Sequence, residues 1–497
     1  MQKLSFLRRA PLHCFLIGLY IISFIYVRNM TQLGPMMVFR SALVSLLVSC
    51  LLFGGSYLVY RSSRKASIFT TIVIIGFFVY GSIYQYFDSL FYKGYWPFAH
   101  IHRFLILAYF ILYLALFLFL ARSRRPHFTV NYILNVFVLV LLFLNAAFAF
   151  LVAKRSDRAK QVTNAYIDQS VTYLGRAASG PRPDVYYIIL DGFASEATIR
   201  REYGGQSTML YDFLRKRNFY IADSSRSNYP VTKFSLSSSL NMSYLGNTDA
   251  DQTNLLVRQN LVSYLFRQNG YNVVNLESGY AVTQHFDFAT STVKAGGLNE
   301  FERRLLELTI LRIDDVLGIE DYNRTRSILQ KVSDLVKAPG PKFGFVHIVS
   351  PHPPYVFDKN GGQRKRSSLS DRNWEPRKEY ADQLEYISKE AIRFIDEILQ
   401  NAKVPPVIIL QSDHGPLFSD ADWQNVFRSR MSILNAYYGP PELKTSLYKT
   451  ISPVNSFRVV SRCLFGQNFP LLADTTIPFA TFIAEPTFKL YLDAPPH

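Results

Sequence analysis

The sequence predicts an α-helical membrane domain of five transmembrane helices, followed by an α/β domain with a mainly parallel sheet. Three observations lead there. Five apolar stretches crowd into the first 153 residues. The charge is divided unevenly along the chain. From Pro183 onward, short β-branched or aromatic runs alternate with amphipathic helical patterns.

The 497 residues give room for two or three domains, and the hydrophobic share of 49% is high for an ordinary soluble enzyme. Residues 1–153 hold 13 Lys or Arg and one acid, Asp88, so 12 of the 17 net positive charges fall there. A strongly basic chain raises nucleic acid as a partner. Here the bases sit in short loops between apolar runs, where they report membrane topology, and no nucleic-acid partner is expected. Cys14, Cys50 and Cys463 stand far apart, which excludes a disulfide framework, and no CxxC pair offers a thiolate zinc site.

The apolar stretches run Leu12–Val27, Met36–Tyr60, Ile68–Phe87, Phe104–Ala121 and Ile133–Ala153. Lys3, Arg8 and Arg9 precede the first in the manner of a signal peptide, but no small-residue cleavage site follows, so an uncleaved anchor is expected. Alternate loops carry nine bases (Lys3, Arg8, Arg9, Arg61, Arg64, Lys65, Arg122, Arg124, Arg125) against three (Arg28, Lys93, Arg103). That bias predicts a multi-pass protein of the plasma or inner membrane with a cytoplasmic N-terminus and an extracytoplasmic catalytic domain. Lys154, Arg155, Arg158 and Lys160 oppose this rule, and lie on the outer side against anionic head groups in that topology. Arg40, inside the second span, either snorkels to the interface or lines a polar cavity.

A juxtamembrane helix or linker is expected over 154–182, ending in the helix-breaking AASGPRP, Ala177–Pro183. The catalytic domain follows over 183–440, and 441–497 is a C-terminal extension to which the sequence assigns no chemistry. Strands are expected at VYYIIL (Val185–Leu190), FYIA (Phe219–Ala222), YNVVNL (Tyr271–Leu276), FGFVHIV (Phe343–Val349), VIILQS (Val407–Ser412) and ILNAYY (Ile433–Tyr438). Helices are expected at Met209–Arg217, Leu255–Gln268, Glu300–Val316, Arg324–Val336 and Tyr380–Gln400. Lys359–Asn373 reads as an exposed basic loop.

Ligands of open α/β sheets gather at the carboxyl ends of the strands. Asp191 directly follows VYYIIL, and Asp413 and His414 directly follow VIILQS. Asp191 is either a turn or capping acid or a ligand, and SDHGP, Ser412–Pro416, is either a structural turn or half of a site. Together they supply two carboxylates and an imidazole suited to Zn²⁺, Mn²⁺ or Mg²⁺. Thr232 begins the helical run after SNYPV. It either caps that helix or uses the positive potential of a helix N-terminus to favour its alkoxide and bind a phosphoryl oxygen. In HIVSPHPPYVF, His347 lies inside a strand as a buried core histidine. His352 either packs on its proline-rich loop or faces a cleft as a proton donor.

The segments YYIILDG, NYPVTKFSL, HIVSPHPPY and IILQSDHG, in this order over Pro183–Pro440, resemble the alkaline phosphatase/sulfatase superfamily. Within it they are most similar to the membrane-anchored branch of lipoteichoic acid synthases and phosphoethanolamine or phosphoglycerol transferases. The resemblance implies Asp191, Thr232, Asp413 and His414 as metal ligands, Thr232 as covalent nucleophile, and His352 and Ser235 as substrate-binding groups. It implies one divalent metal ion, with Mn²⁺ or Mg²⁺ preferred and Zn²⁺ compatible. The formylglycine motif of true sulfatases has no counterpart, since the exported domain's one cysteine is Cys463, so sulfate-ester hydrolysis is disfavoured.

The leading expectation is therefore metal-dependent transfer of a phospho-head group from a membrane lipid donor to a cell-envelope glycan or lipid acceptor. The rivals are a phosphodiesterase or phosphatase that uses water, and a non-enzymatic lipid-binding regulator.

Overall fold

The computed structural model describes residues 2–92, 101–170, 182–204, 208–246, 250–312, 314–364, 376–417 and 423–477. The basic loop beyond 364, the linker residues 171–181, the loop bearing Lys93 and the tail after 477 lie outside the described residues. The chain divides into two compact units.

One unit holds Met1–Asp157 together with Leu298–Leu317. Among the described residues, four helices are long and apolar enough to cross a membrane: Met36–Tyr60, Ser63–Leu90, Ile101–Arg122 and Phe128–Asp168, with mean hydropathies between 2.0 and 2.8. Five were expected, and the difference lies in the first apolar stretch. It forms a helix of 16 residues, His13–Arg28, which rises about 24 Å and falls short of a ~30 Å hydrocarbon layer. Its start is set by polar groups: the amides of Asn131 and Asn135 donate to the carbonyls of Leu7 and Ala10, and the His13 N–H donates to Asn135 Oδ1. The last apolar stretch ends at Ala153, but its helix does not. The helix continues from Phe128 to Ser170 without a break, carrying the basic residues after Ala153.

Arg40 has a partner that the sequence did not indicate. Its guanidinium makes a two-armed ion pair with Glu302, a buried carboxylate on the helix Glu300–Glu307. Asn299 and Glu302 form a capping box that starts this helix, and Asn299 Nδ2 donates to Met37 O at 2.9 Å. Leu308 O accepts from Gly81 N at 2.9 Å, and a Cβ at Gly81 would meet Leu308 Cα at 2.6 Å, so only glycine permits that approach. The expected helix Glu300–Val316 is thus cut short at Glu307, where the chain turns onto the membrane helices.

The second unit is built on a seven-stranded sheet: β1 (Val185–Leu190), β2 (Tyr220–Ile221), β3 (Asn272–Leu276), β4 (Ser291–Val293), β5 (Lys342–Ile348), β6 (Val407–Gln411) and β7 (Asn435–Tyr438). The spatial order is β2-β7-β6-β1-β5-β3-β4. β1 runs parallel to β5 and β6, with Val185 opposite Phe343 and Val407, while β7 is antiparallel to β6. Every residue of β1, β5 and β6 is buried, as expected of strands covered on both faces. Tyr186, Ile188 and Leu190 join the core under the helices Met209–Lys216, Asp314–Lys337 and Pro376–Asn401. Val185, Tyr187 and Ile189 join the opposite core, under Leu261–Gln268 and Pro453–Phe465. The expected helix Leu255–Gln268 is two helices, because the Asn260 side chain accepts from Ser263 N and starts a new one. β4, three residues long, carried too little pattern to be expected.

Replacing both partners of the Arg40–Glu302 pair tests its weight. A double-mutant cycle with Arg40→Ala and Glu302→Gln, read by thermal unfolding in detergent, is expected to give a coupling of about 1–2 kcal/mol. Additive single effects would show that the capping box alone holds the segment.

Candidate metal centre and its threonine

Three neighbouring strands of the sheet centre, β6, β1 and β5, end on the same edge and deliver the reactive groups there. Asp191 leaves β1 with its N–H bonded to Ile348 O, and Gly192 turns at φ +72°, a conformation that glycine adopts without strain. The Gly192 N–H then donates to Asp413 Oδ1 at 3.2 Å, which joins the two acidic segments. After β6, Gly415 N donates to Arg430 O at 2.7 Å. A Cβ at Gly415 would stand 2.0 Å from Ser429 O, so glycine is required for that close passage.

Thr232 is the first residue of the helix Thr232–Asn241, and Val231 occupies the N-cap. The Thr232 side chain therefore does not cap. Its hydroxyl lies 3.1 Å from His414 Nε2. Ser235, expected to bind substrate, is instead buried and donates to the Asp413 main-chain carbonyl at 2.8 Å; Ser227 donates to the same oxygen. One turn of helix separates the two hydroxyls, so Thr232 faces the site while Ser235 holds the loop that carries Asp413.

Asp191, Asp413 and His414 each offer a ligand atom within 4.8 Å of the others, and all three are buried. His414 Nε2 stands 3.1 Å from Asp413 Oδ2 and 3.6 Å from Asp191 Oδ1. Donors bonded at ~2.0–2.2 Å to one tetrahedral ion are separated by about 3.3–3.5 Å. Asp191 Oδ1 and Asp413 Oδ2 have no hydrogen-bond partner despite full burial. Orphan carboxylate oxygens are costly in a dry interior unless something else neutralises them. The donor set and spacing fit a divalent cation.

Electrostatics agree. Burial pushes the Asp413 carboxyl well above the usual carboxylate range, and the Asp191 charge beside it adds to the effect against the Thr232 hydroxyl, Arg430 and the Gly192 N–H. Burial acts on Asp191 too, but His352, the His347 hydrogen bond and His414 hold it below the ordinary value. The two carboxyls are thus driven apart in proton affinity, as like charges in contact require. Burial and then Arg430 drive His414 well below its usual range, which leaves it neutral. His414 Nδ1 faces the Gly415 carbonyl at 3.1 Å and must carry the proton, so the Nε2 lone pair points into the site.

His352 lies just beyond β5, its N–H bonded to Asp191 O at 3.0 Å and its ring 6.1 Å from that of His414. Nδ1 donates to Pro353 O at 2.8 Å, leaving Nε2 as the working nitrogen. His347 is fully buried, as expected, but it is more than core: Nδ1 is bonded to Thr283 Oγ1 at 2.8 Å and Nε2 lies 3.4 Å from Asp191 Oδ2. Arg430, which the sequence reading passed over, enters the site from the helix Trp423–Met431 and bonds His414 Nε2 at 2.9 Å. No motif marks it, since an arginine in a helix's last turn is ordinarily a solvated charge at the negative end of the dipole.

The 441–477 extension braces the threonine loop. Asn228 Nδ2 donates to Ser452 Oγ and Thr475 O, its Oδ1 accepts from Val454 N, and Ile477 N donates to Asn228 O.

A family model described as Sulfatase matches residues 183–448. No curated protein matches the chain significantly. Similar solved structures include the C-terminal periplasmic domain of EcEptC from Escherichia coli, at 14% identity and TM-score 0.43, covering 62% of this chain and 90% of that one. The integral membrane lipooligosaccharide phosphoethanolamine transferase A (EptA) from Neisseria meningitidis gives 13% and 0.40 over 95% of this chain and 96% of its own. The lipoteichoic acid synthase LtaP from Listeria monocytogenes gives 13% and 0.42 over 61% and 76%.

Because Asp413 holds its proton more tightly than an ordinary carboxyl, Mn²⁺ affinity is expected to fall as pH is lowered, measured by calorimetric titration at a series of pH values. An affinity that does not change with pH would contradict the coupling. Gly415→Ala should destabilise the protein by about 1–3 kcal/mol through the clash with Ser429, measured by thermal unfolding, and should weaken Mn²⁺ binding alongside.

Proposed function

The chain belongs to the sulfatase family, and from that premise we propose that it is a membrane-anchored phosphoester transferase with Thr232 as nucleophile. Its donor is a membrane lipid with a phosphoglycerol or phosphoethanolamine head group, and its acceptor a hydroxyl of a cell-envelope glycan or lipid. The N-terminus is cytoplasmic and the α/β unit extracytoplasmic. The observation that carries the reading is the Thr232 hydroxyl, 3.1 Å from the inward lone pair of His414 and beside two buried carboxylates with unpartnered oxygens. A threonine with a structural role would cap its helix, and Val231 has that position. Four helices suited to a membrane support a lipid donor, because tethering raises the effective concentration of lipid at the site.

Asp191, Asp413, His414 and Thr232 would hold a divalent ion, which when bound would supply Lewis-acid charge that lowers the pKa of the threonine hydroxyl. Thr232, its hydroxyl proton lost to solvent, attacks phosphorus through Oγ and forms the O–P bond as the P–O bond to diacylglycerol breaks, and the diacylglycerol oxygen leaves with a proton from His352 Nε2. The head group is then carried on Thr232 as a phosphodiester. In the second half, the acceptor hydroxyl gives its proton back to His352 and attacks phosphorus, and the Thr232 oxygen is released. His347 and Thr283 hold Asp191 in place, and Ser227 and Ser235 hold Asp413.

The reading is tested with the purified full chain, head-group-labelled phosphatidylglycerol or phosphatidylethanolamine, and an envelope extract. Label on Thr232 by mass spectrometry, then on an acceptor, is the expected result, and Thr232→Ala should lower turnover by at least about a thousandfold. Release of free phosphorylated head group at the same rate with or without acceptor would make the chain a hydrolase. Full activity of Thr232→Ala would end the nucleophile assignment.

A further inference from the structure

Arg430 is a buried cation whose three nitrogens have unequal tasks. It is 7% exposed. Nε donates to Pro230 O at 2.8 Å and Nη1 to Gly415 O at 3.0 Å. Those carbonyls belong to the two loops that carry the reactive groups: Pro230 is two residues before Thr232, and Gly415 directly follows His414. Two arms therefore fix the plane of the guanidinium. The third, Nη2, reaches into the site and bonds His414 Nε2 at 2.9 Å.

That bond competes with the chemistry. Nε2 has one lone pair, because the His414 proton is on Nδ1 toward Gly415 O. The Thr232 hydroxyl is also within 3.1 Å of it. A cation held by Nε2 takes the lone pair, and the Nη2 protons then face the same small volume in want of an acceptor. Burial makes an unpaired guanidinium N–H expensive, so that acceptor must be supplied. A permanently charged N–H donor calls for an anionic oxygen, and a phosphoester supplies one.

We infer that Arg430 is the anion-binding arm of the site, its Nη2 donating to a non-bridging oxygen of a phosphodiester beside Thr232. The inference rests on the phosphoester reading above and adds to it a residue. Arg430 holds the ester where the Thr232 oxygen can reach phosphorus, and the carbonyls of Pro230 and Gly415 set its direction. A planar, permanently charged donor suits this task better than lysine.

The test is binding of bis(4-nitrophenyl) phosphate, at low temperature, to the manganese-loaded full-length protein in detergent, with manganese content measured in parallel. Arg430→Met is expected to weaken diester binding by about tenfold to a hundredfold while manganese stays stoichiometric. Arg430→Lys, which keeps the charge but not the fork, should fall between, and it decides the matter if Arg430→Met does not fold. Diester affinity within twofold of wild type in the folded variant would overturn the inference, as would a loss of manganese that fully accounts for the lost diester. Wild type that binds manganese but no diester would instead overturn the phosphoester reading, and this inference with it.

Discussion

The site depends on one electrostatic constraint: Asp191 and Asp413 are buried side by side with an oxygen each that nothing in the protein satisfies. Two carboxylates cannot both be ionised in contact in a dry interior without a compensating positive charge. The surrounding groups are arranged around that conflict. Gly192 N–H accommodates one oxygen of Asp413, His347 lies against Asp191, and His414 turns its lone pair inward. What remains is a gap of the size and charge that a small dication relieves. A core that tolerates such an arrangement is held for its chemistry, since well-packed apolar residues would serve stability as well or better.

The scaffold explains how the conflict is held in register. β6, β1 and β5 are adjacent, parallel and buried along their whole length, so their ends cannot shift without disturbing both cores. The helix that starts at Thr232 is fastened to the Asp413 loop by Ser227 and Ser235 and to the 441–477 segment through Asn228. Thr232 and the three candidate ligands therefore come from three separate stretches of chain locked by hydrogen bonds between side chains and main-chain carbonyls. Such bonds fix positions to a few tenths of an ångström, which a threonine oxygen close to a histidine nitrogen requires.

In the membrane unit the same principle appears with opposite economy of means. Arg40 is placed in an apolar helix, where an unpaired charge is costly. Glu302 answers it from 262 residues further along the chain, on a helix that the capping box with Asn299 begins. The pair and the close passage of Leu308 over Gly81 make residues 298–312 part of that unit.

Hydrophobic periodicity and strand-end placement were enough to give the fold class, six of the seven strands and the approach of Asp191, Asp413 and His414 to one edge, because those signals are local and repeat along the chain. The spacing of motifs also drew attention to Thr232 and His352. The division of charge and the apolar lengths are also legible in the sequence, but they led to five spans, because a first stretch of 16 residues is as apolar as the others and only shorter. Only the tertiary structure decided which hydroxyl of Thr232 and Ser235 faces the carboxylates, that His347 lies against Asp191, that Arg430 enters the site, and that Arg40 is paired. Each of those depends on partners tens to hundreds of residues away, and a side chain's direction is set by packing against them, which no local pattern encodes.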